Sequence, residues 1–116
     1  MEITLVDRPI TREQIKAAAR PYYEAVVKAV VDIEKRVMAI GGEMQADEEK
    51  ALLEHGSKQE DLWGINIFTE LDGPDMIEFD SLINIRPGSG NRSRGVEDAA
   101  IRERILQIVG ALVQPT

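Results

Sequence analysis

Apolar residues hold odd-numbered positions through two separate stretches, Trp63, Ile65 and Ile67, then Ile77, Phe79, Ile83 and Ile85. Asn66, Glu78, Asp80, Asn84 and Arg86 fall at even positions among them. Side chains alternate across a strand, so this pattern suits a sheet with one buried face and does not suit a helix. Asp72-Gly73-Pro74-Asp75 supplies turn residues between the two stretches, and residues 62–69 and 77–86 are therefore predicted to pair as an antiparallel hairpin. Its odd face meets the core. Its even face is polar, with Leu62, Phe68 and Leu82 interspersed. At residue 86 the predicted strand runs straight into Pro87-Gly88-Ser89-Gly90-Asn91-Arg92-Ser93-Arg94, a polar loop held at its base by a rigid element, which is where binding residues tend to sit.

The remaining chain reads as helices and one more hairpin. Residues 2–6 alternate weakly and suit a short edge strand. Thr11 is placed as an N-cap, Gln14 completes a capping box, and Ile10 and Ile15 form a hydrophobic staple, so a helix is predicted over 12–20. Pro21 has no N–H to bond back with and ends or kinks it, although Tyr22 and Tyr23 keep the helical spacing. Residues 24–42 admit two readings. A helix places Val26, Ala29, Ile33, Val37 and Ile40 on one side, with Gly41-Gly42 as its stop. A hairpin around Glu34-Lys35-Arg36 instead suits the β-branched crowd Val26, Val27, Val30, Val31 and Ile33, which loses side-chain freedom in a helix. The hairpin is preferred, even though its turn lacks Gly and Asn. Asp47 is predicted to cap a short helix with Glu48 and Glu49 in its first turn, where the dipole favours acids, and His55-Gly56 to end it. A last helix over 97–113 aligns Ile101, Ile105, Ile108, Val109 and Leu112. The expected fold is one α+β domain over residues 1–116: an antiparallel sheet of about four strands in two hairpins, with three helices mainly on one face.

Composition excludes several chemistries. The 116-residue chain has no Cys and one His, so disulfides, thiol catalysis, Cys-ligated zinc and multi-histidine metal sites are excluded. No apolar run reaches the roughly 18 residues that span a bilayer, and the first residues lack a basic-then-apolar leader. A cytoplasmic protein without a membrane partner is expected. A net charge of -7 disfavours generic binding to nucleic acid. The charge is unevenly spread. Between Glu43 and Asp80 the only Lys or Arg residues are Lys50 and Lys58, whereas 86–94 carries three arginines and no acid.

That basic island is the candidate site. Arg86, Arg92 and Arg94 offer forked donors suited to phosphate or carboxylate, Gly88 and Gly90 let the backbone turn and approach a ligand, and Ser89 and Asn91 complete the candidate ligand-binding set. The expected ligand is a small anionic molecule bearing phosphate. The loop is no P-loop, because the Gly-Lys-Ser/Thr ending is absent, and it is no dinucleotide fingerprint, because Ser93 stands where the third glycine belongs. The competing reading pairs these arginines with the protein's own acids. Glu78 and Asp80, with Asp32 brought near by the hairpin, form a looser cation-binding or acid–base candidate, which the ordinary wet face of an antiparallel sheet also explains. No nucleophile with its base is apparent, so no catalytic residue, metal or cofactor is assigned, and binding is expected rather than turnover. The alternative function is a homodimer or other self-associating protein that uses the even sheet face with Leu62, Phe68 and Leu82.

Several segments together resemble a family. These are Val30-Val31-Asp32-Ile33-Glu34, Ala39-Ile40-Gly41-Gly42-Glu43, the run from Gly56 to Asn66 containing Leu62-Trp63-Gly64, Ile83-Asn84-Ile85-Arg86-Pro87, and Gly90-Asn91-Arg92-Ser93. They look like those of small uncharacterised bacterial proteins grouped only as a domain of unknown function. The resemblance covers about residues 26–113. It implies a small intracellular domain and favours the hairpin, and it brings no substrate or catalytic residue.

Overall fold

The computed structural model describes residues 3–19 and 25–114. In order they form β1 (Thr4–Val6), β2 (Ile10–Thr11), α1 (Arg12–Ala19), β3 (Val26–Asp32), β4 (Val37–Ile40), α2 (Gln45–Glu54), β5 (Leu62–Phe68), β6 (Ile77–Glu78), α3 (Ala99–Leu112) and β7 (Val113–Gln114). Five strands make one sheet in the order β1-β4-β3-β5-β6, and every pairing in it is antiparallel. The fold is α+β, as expected. The strand beyond the expected four is β1, which pairs with β4 at the edge. A separate parallel pair joins β2 to β7.

The hairpin over 26–40 is present, with Ala29 opposite Ile40 and Asp32 opposite Val37. Its turn does without Gly or Asn by two devices. Arg36 takes a φ of 60°, and one carboxylate oxygen of Asp32 accepts the N–H groups of Glu34 and Lys35, each at 2.9 Å, which builds the turn from a side chain. The Ser57 hydroxyl donates to the other oxygen at 2.6 Å. Asp32 is therefore a turn residue and stands apart from Glu78. It lies opposite Leu62, whereas Glu78 lies opposite Asn66, about 13 Å further along β5 and on its other side, so that two strand spacings add to the separation.

The capping box of α1 is also present. The Gln14 N–H donates to Thr11 Oγ1 at 3.1 Å, and the Thr11 N–H donates to Gln14 Oε1 at 3.0 Å. Arg20, Pro21, Tyr22 and Tyr23, where a kink was expected, lie outside the described residues. The start of α2 differs from expectation. Met44 occupies the N-cap without a side-chain bond, and Asp47 sits inside the first turn. Its end is as expected, with Gly56 at a φ of 93° and His55 Nδ1 2.9 Å from the Ala51 carbonyl.

The odd-face rule holds for most of the sheet. Trp63, Ile65, Ile67 and Ile77 share one core with Val27, Ala29, Val31, Met38 and Ile40, and α1 and α3 close it with Ile15, Ala19, Ile105, Ile108, Val109 and Leu112. Two of the three helices thus cover one face. The third, α2, lies on the other, where Leu52 packs with Val30, Ala39 and Leu62.

The predicted strand over 77–86 is the main departure. Only Ile77 and Glu78 pair with β5, and Leu82–Asn84 form a 3₁₀ turn. Local side-chain bonds displace the ladder here. Ser81 Oγ accepts the Ile83 N–H at 3.3 Å. Asn84 places its amide where a neighbouring strand would be: it accepts the Gly64 N–H at 2.8 Å and donates to the Gly64 carbonyl at 3.0 Å. With the alternation broken, Leu82 and Ile85 are 62% and 41% exposed. Gly64 makes the crossing possible, since a Cβ there would stand 2.4 Å from Ser81 Oγ. Gly64→Ala should therefore lower stability by roughly 1–3 kcal/mol, the usual cost of overpacking. A urea midpoint equal to the parent's would refute this packing account.

Candidate functional site

The loop after the 82–84 turn closes on itself. The Arg86 N–H donates to the Asn91 carbonyl at 2.7 Å, and the Asn91 N–H donates back at 3.2 Å. Gly90 makes the closure with a φ of 89°, which costs glycine no Cβ clash. The tip is open: Gly88, Ser89 and Gly90 are exposed, and a Cβ on either glycine would touch nothing.

The interior is built on two buried amides. Asn91 Nδ2 donates to the carbonyls of Asn84 and Gly95, both at 2.8 Å, and of Ser93 at 3.2 Å, while its Oδ1 accepts the Glu97 N–H at 2.9 Å. Asn84 Nδ2 also reaches the Arg94 carbonyl at 2.9 Å. Asn91 was predicted as a ligand contact, and the structure uses its amide as the frame of the loop.

The three arginines face three different surroundings. Arg86 turns inward. Its guanidinium donates to the carbonyls of Ile83 at 3.2 Å, Gln59 at 3.0 Å and Leu62, and it lies 4.4 Å from the ring centre of Trp63. Burial lowers its pKa, with the charge of Glu49 opposing. Arg94 donates from Nε to Asp80 at 2.6 Å. Arg92 is exposed and stands close enough to Glu97 for its charge to act there.

One anion does occupy the loop, and it belongs to the chain. The backbone N–H groups of Arg92 and Ser93 both donate to Glu97 Oε2, at 2.7 and 2.9 Å. These two bonds hold the Glu97 pKa below the ordinary glutamate range, helped by the Ser93 hydroxyl and the Arg92 charge. The helix itself begins later, with Asp98 as its N-cap accepting the Ala100 N–H at 2.8 Å. Two consecutive N–H groups thus converge on one carboxylate oxygen and form a small nest of backbone donors.

A second polar group lies beside this loop, on the sheet face next to α2. Lys28, Asn66 and Glu78 stand in register across β3, β5 and β6. Gln45 Nε2 donates to Asn66 Oδ1 at 3.1 Å, and Asn66 Nδ2 donates to Glu78 at 2.8 Å. Asp80 joins the row to Arg94. Behind it Glu48 is fully buried, accepting the Gly42 N–H at 3.0 Å on Oε2 and leaving Oε1 without a partner. Burial raises its pKa to about 9, against the opposing pull of the Gly42 N–H and the Lys28 charge. The sequence places Glu48 in the first turn of a helix, as an acid that the dipole favours, and does not disclose its burial. The overlooked signal is the spacing of Gln45, Glu48 and Leu52, which are the buried stripe of α2. Among the described residues, no group of three or more His, Asp or Glu side chains is placed to hold a metal ion. Among them, too, no helix is long and apolar enough to cross a membrane.

A family model described as "Protein of unknown function (DUF5674)" matches residues 4–112. Neither a curated protein nor a solved structure matches the chain.

Proposed function

The chain belongs to this family of proteins of unknown function, and we propose that the loop over 86–97 makes it an anion-binding module in which Glu97 occupies the ligand's place until a ligand displaces it. The observation that carries the reading is the pair of N–H groups of Arg92 and Ser93 on one carboxylate oxygen. The favoured ligand is a phosphate-bearing small molecule. A phosphate group brings more charge and more acceptor oxygens than a carboxylate, so it competes well for two backbone donors and a nearby guanidinium. Arg92 is the exposed side-chain contact in this reading, while Asn84 and Asn91 hold the nest in shape. Arg86 and Arg94 contribute by fixing the loop to Leu62 at the start of β5 and to Asp80.

Titration with inorganic phosphate, followed through the amide resonances of Arg92 and Ser93, tests this. Glu97→Ala removes the internal competitor and should tighten phosphate binding about tenfold, a difference of about 1.4 kcal/mol. Arg92→Gln should weaken it by a similar factor. If neither amide moves with millimolar phosphate in the parent or in Glu97→Ala, the nest serves only the fold and the reading is withdrawn.

A second reading, self-association, draws on exposed Leu82 and Ile85. Of the face first expected to serve it, Leu62 is buried beneath α2 and Phe68 is half-buried, which leaves Leu82. Sedimentation of the parent and of Leu82→Asp decides it: a dimer that the substitution dissociates supports self-association, and a monomeric parent refutes it.

A further inference from the structure

The helix α2 is held to the sheet differently from the other two. Buried side chains of α1 and α3 are all apolar, whereas the buried stripe of α2 is Gln45, Glu48 and Leu52. Leu52 alone joins it to the apolar patch of Val30, Ala39 and Leu62. We propose that α2 is a hinged flap, which swings off this face as a unit between Gly41 and Gly56 while the five-stranded sheet stays folded, and which opens when Glu48 gives up its proton.

The hinges lie at the two ends of the helix. Gly41 and Gly56 each take a φ of 93°, and each borders an anchored segment: Ile40 is paired in β4, and the Ser57 hydroxyl is bound to Asp32 at 2.6 Å. Hinge motions are absorbed at such element ends. The docked position also leaves polar atoms unserved. Met44 makes no side-chain bond at the N-cap. Among the described residues, Glu48 Oε1 and Glu49 Oε2 are buried without a hydrogen-bond partner. Water reaches both once the helix leaves the sheet, which offsets part of the lost packing of Leu52. The bonds that part run from Gln45 Nε2 to the Ile65 carbonyl at 3.2 Å and to Asn66 Oδ1 at 3.1 Å, and from Lys35 Nζ to the His55 carbonyl at 3.2 Å. The bond from the Gly42 N–H to Glu48 lies inside the moving unit.

The proton sets the balance between the two positions. Charged groups act on Glu48 from β3, through Lys28, and from α2 itself, through Asp47. Glu43 stands in the loop that enters the helix, while β4 and the 82–84 turn, which also pack on α2, carry no charged side chain. Burial dominates and holds the Glu48 carboxyl at about 9, against the pull of the Gly42 N–H and of Lys28. In the open flap the carboxyl is in water and returns to the ordinary glutamate range. Between those values opening releases a proton, so the open fraction rises about tenfold for each unit of pH and levels off above the folded value.

Native-state hydrogen exchange of the parent chain tests the flap. The amides bonded inside α2 should share one opening constant, at least tenfold larger than that of the slowest amides of β3 and β5 and less sensitive to urea. After correction for intrinsic rates it should rise about tenfold per unit from about pH 6 to about pH 8.5. Global unfolding releases the same proton, so the gap between helix and sheet at each pH identifies the flap. In Glu48→Gln the α2 opening constant should be smaller at neutral pH and independent of pH. A thiol reporter gives a second measurement, since the chain has no Cys. Ala39→Cys places one thiol under α2, and Val31→Cys places one on the side of α1 and α3. The first should be labelled at least tenfold faster than the second, and its rate relative to the same thiol in the Glu48→Gln background should rise with pH. Helix and sheet amides that open with one constant and one urea dependence, an α2 opening constant that ignores pH in the parent, or equal labelling of the two thiols would each overturn the proposal.

Discussion

Glu48→Gln is expected to stabilise the protein strongly at pH 8 and by little or nothing near pH 4. The folded chain holds this carboxyl in a fully buried position, and burial raises its pKa from 4.5 to about 9. An unfolded chain releases the proton near the ordinary glutamate value. Between those two values the folded state binds more protons than the unfolded one, so parent stability falls as pH rises through the window. Each pH unit costs about 1.4 kcal/mol, which reaches roughly 3 kcal/mol by neutral pH. Glutamine keeps an oxygen for the Gly42 N–H and carries no proton to lose. The difference between the two proteins should therefore grow with pH, and on the order of ten degrees in melting temperature should separate them near pH 7. Urea denaturation at acid, neutral and mildly alkaline pH checks the sign as well as the size. A difference that does not vary with pH would mean that Glu48 is ionised in the folded protein and held there by Lys28.

Glu48 also marks a limit of what the sequence discloses. An acid in the first turn of a helix is ordinarily a solvated partner of the dipole, and nothing local says that this one faces the sheet. Its burial is decided by the packing of α2 against β3 and by the close approach of Gly42, where a Cβ would stand 2.9 Å from the Glu48 side chain. Features whose partners are neighbours in the chain were legible. Thr11 and Gln14 form their capping box three residues apart, and Val26, Val27, Val30 and Val31 form their strand, with Ile33 just past its end. The alternation over 62–68 likewise became β5.

The same alternation over 77–86 misled because the competing partners are distant. Asn84 exchanges its predicted ladder position for bonds to Gly64, twenty residues earlier, and to Arg94. For the loop, residue types were legible and directions were not. Three arginines in nine residues announce an affinity for anions, but Arg86 finds backbone carbonyls, Arg94 finds Asp80, and the nest finds Glu97. The internal pairing that competed with a ligand site at the outset is therefore realised for Arg94. For the nest the internal partner is Glu97, which reaches the two N–H groups from an exposed position.

Asn91→Ala is expected to cost roughly 3–4 kcal/mol and to open the loop while the sheet persists. The substitution leaves the carbonyls of Asn84, Ser93 and Gly95 without their donor and the Glu97 N–H without its acceptor. An unsatisfied buried group costs about 1–3 kcal/mol. The Asn84 carbonyl is the most deeply buried of the four; the others lie nearer the surface and recover part of the loss by hydration, so the total falls well short of four full penalties. Asn91→Asp keeps the acceptor for Glu97 but turns a carboxylate towards three carbonyl oxygens. It should be at least as damaging at neutral pH and should recover in part in acid, where the carboxyl is protonated and can donate. Gly88→Ala is the control: the site is exposed and open, and the change should stay within about 0.5 kcal/mol. Hydrogen exchange adds the local readout, since the Arg92 and Ser93 amides are protected only while Glu97 reaches them. In Asn91→Ala those two amides should exchange much faster than the amides of β3 and β5. A loss below about 1 kcal/mol with their protection intact would show that the nest stands without its frame. The proposal of a preformed anion site would then have to rest on Glu97 alone.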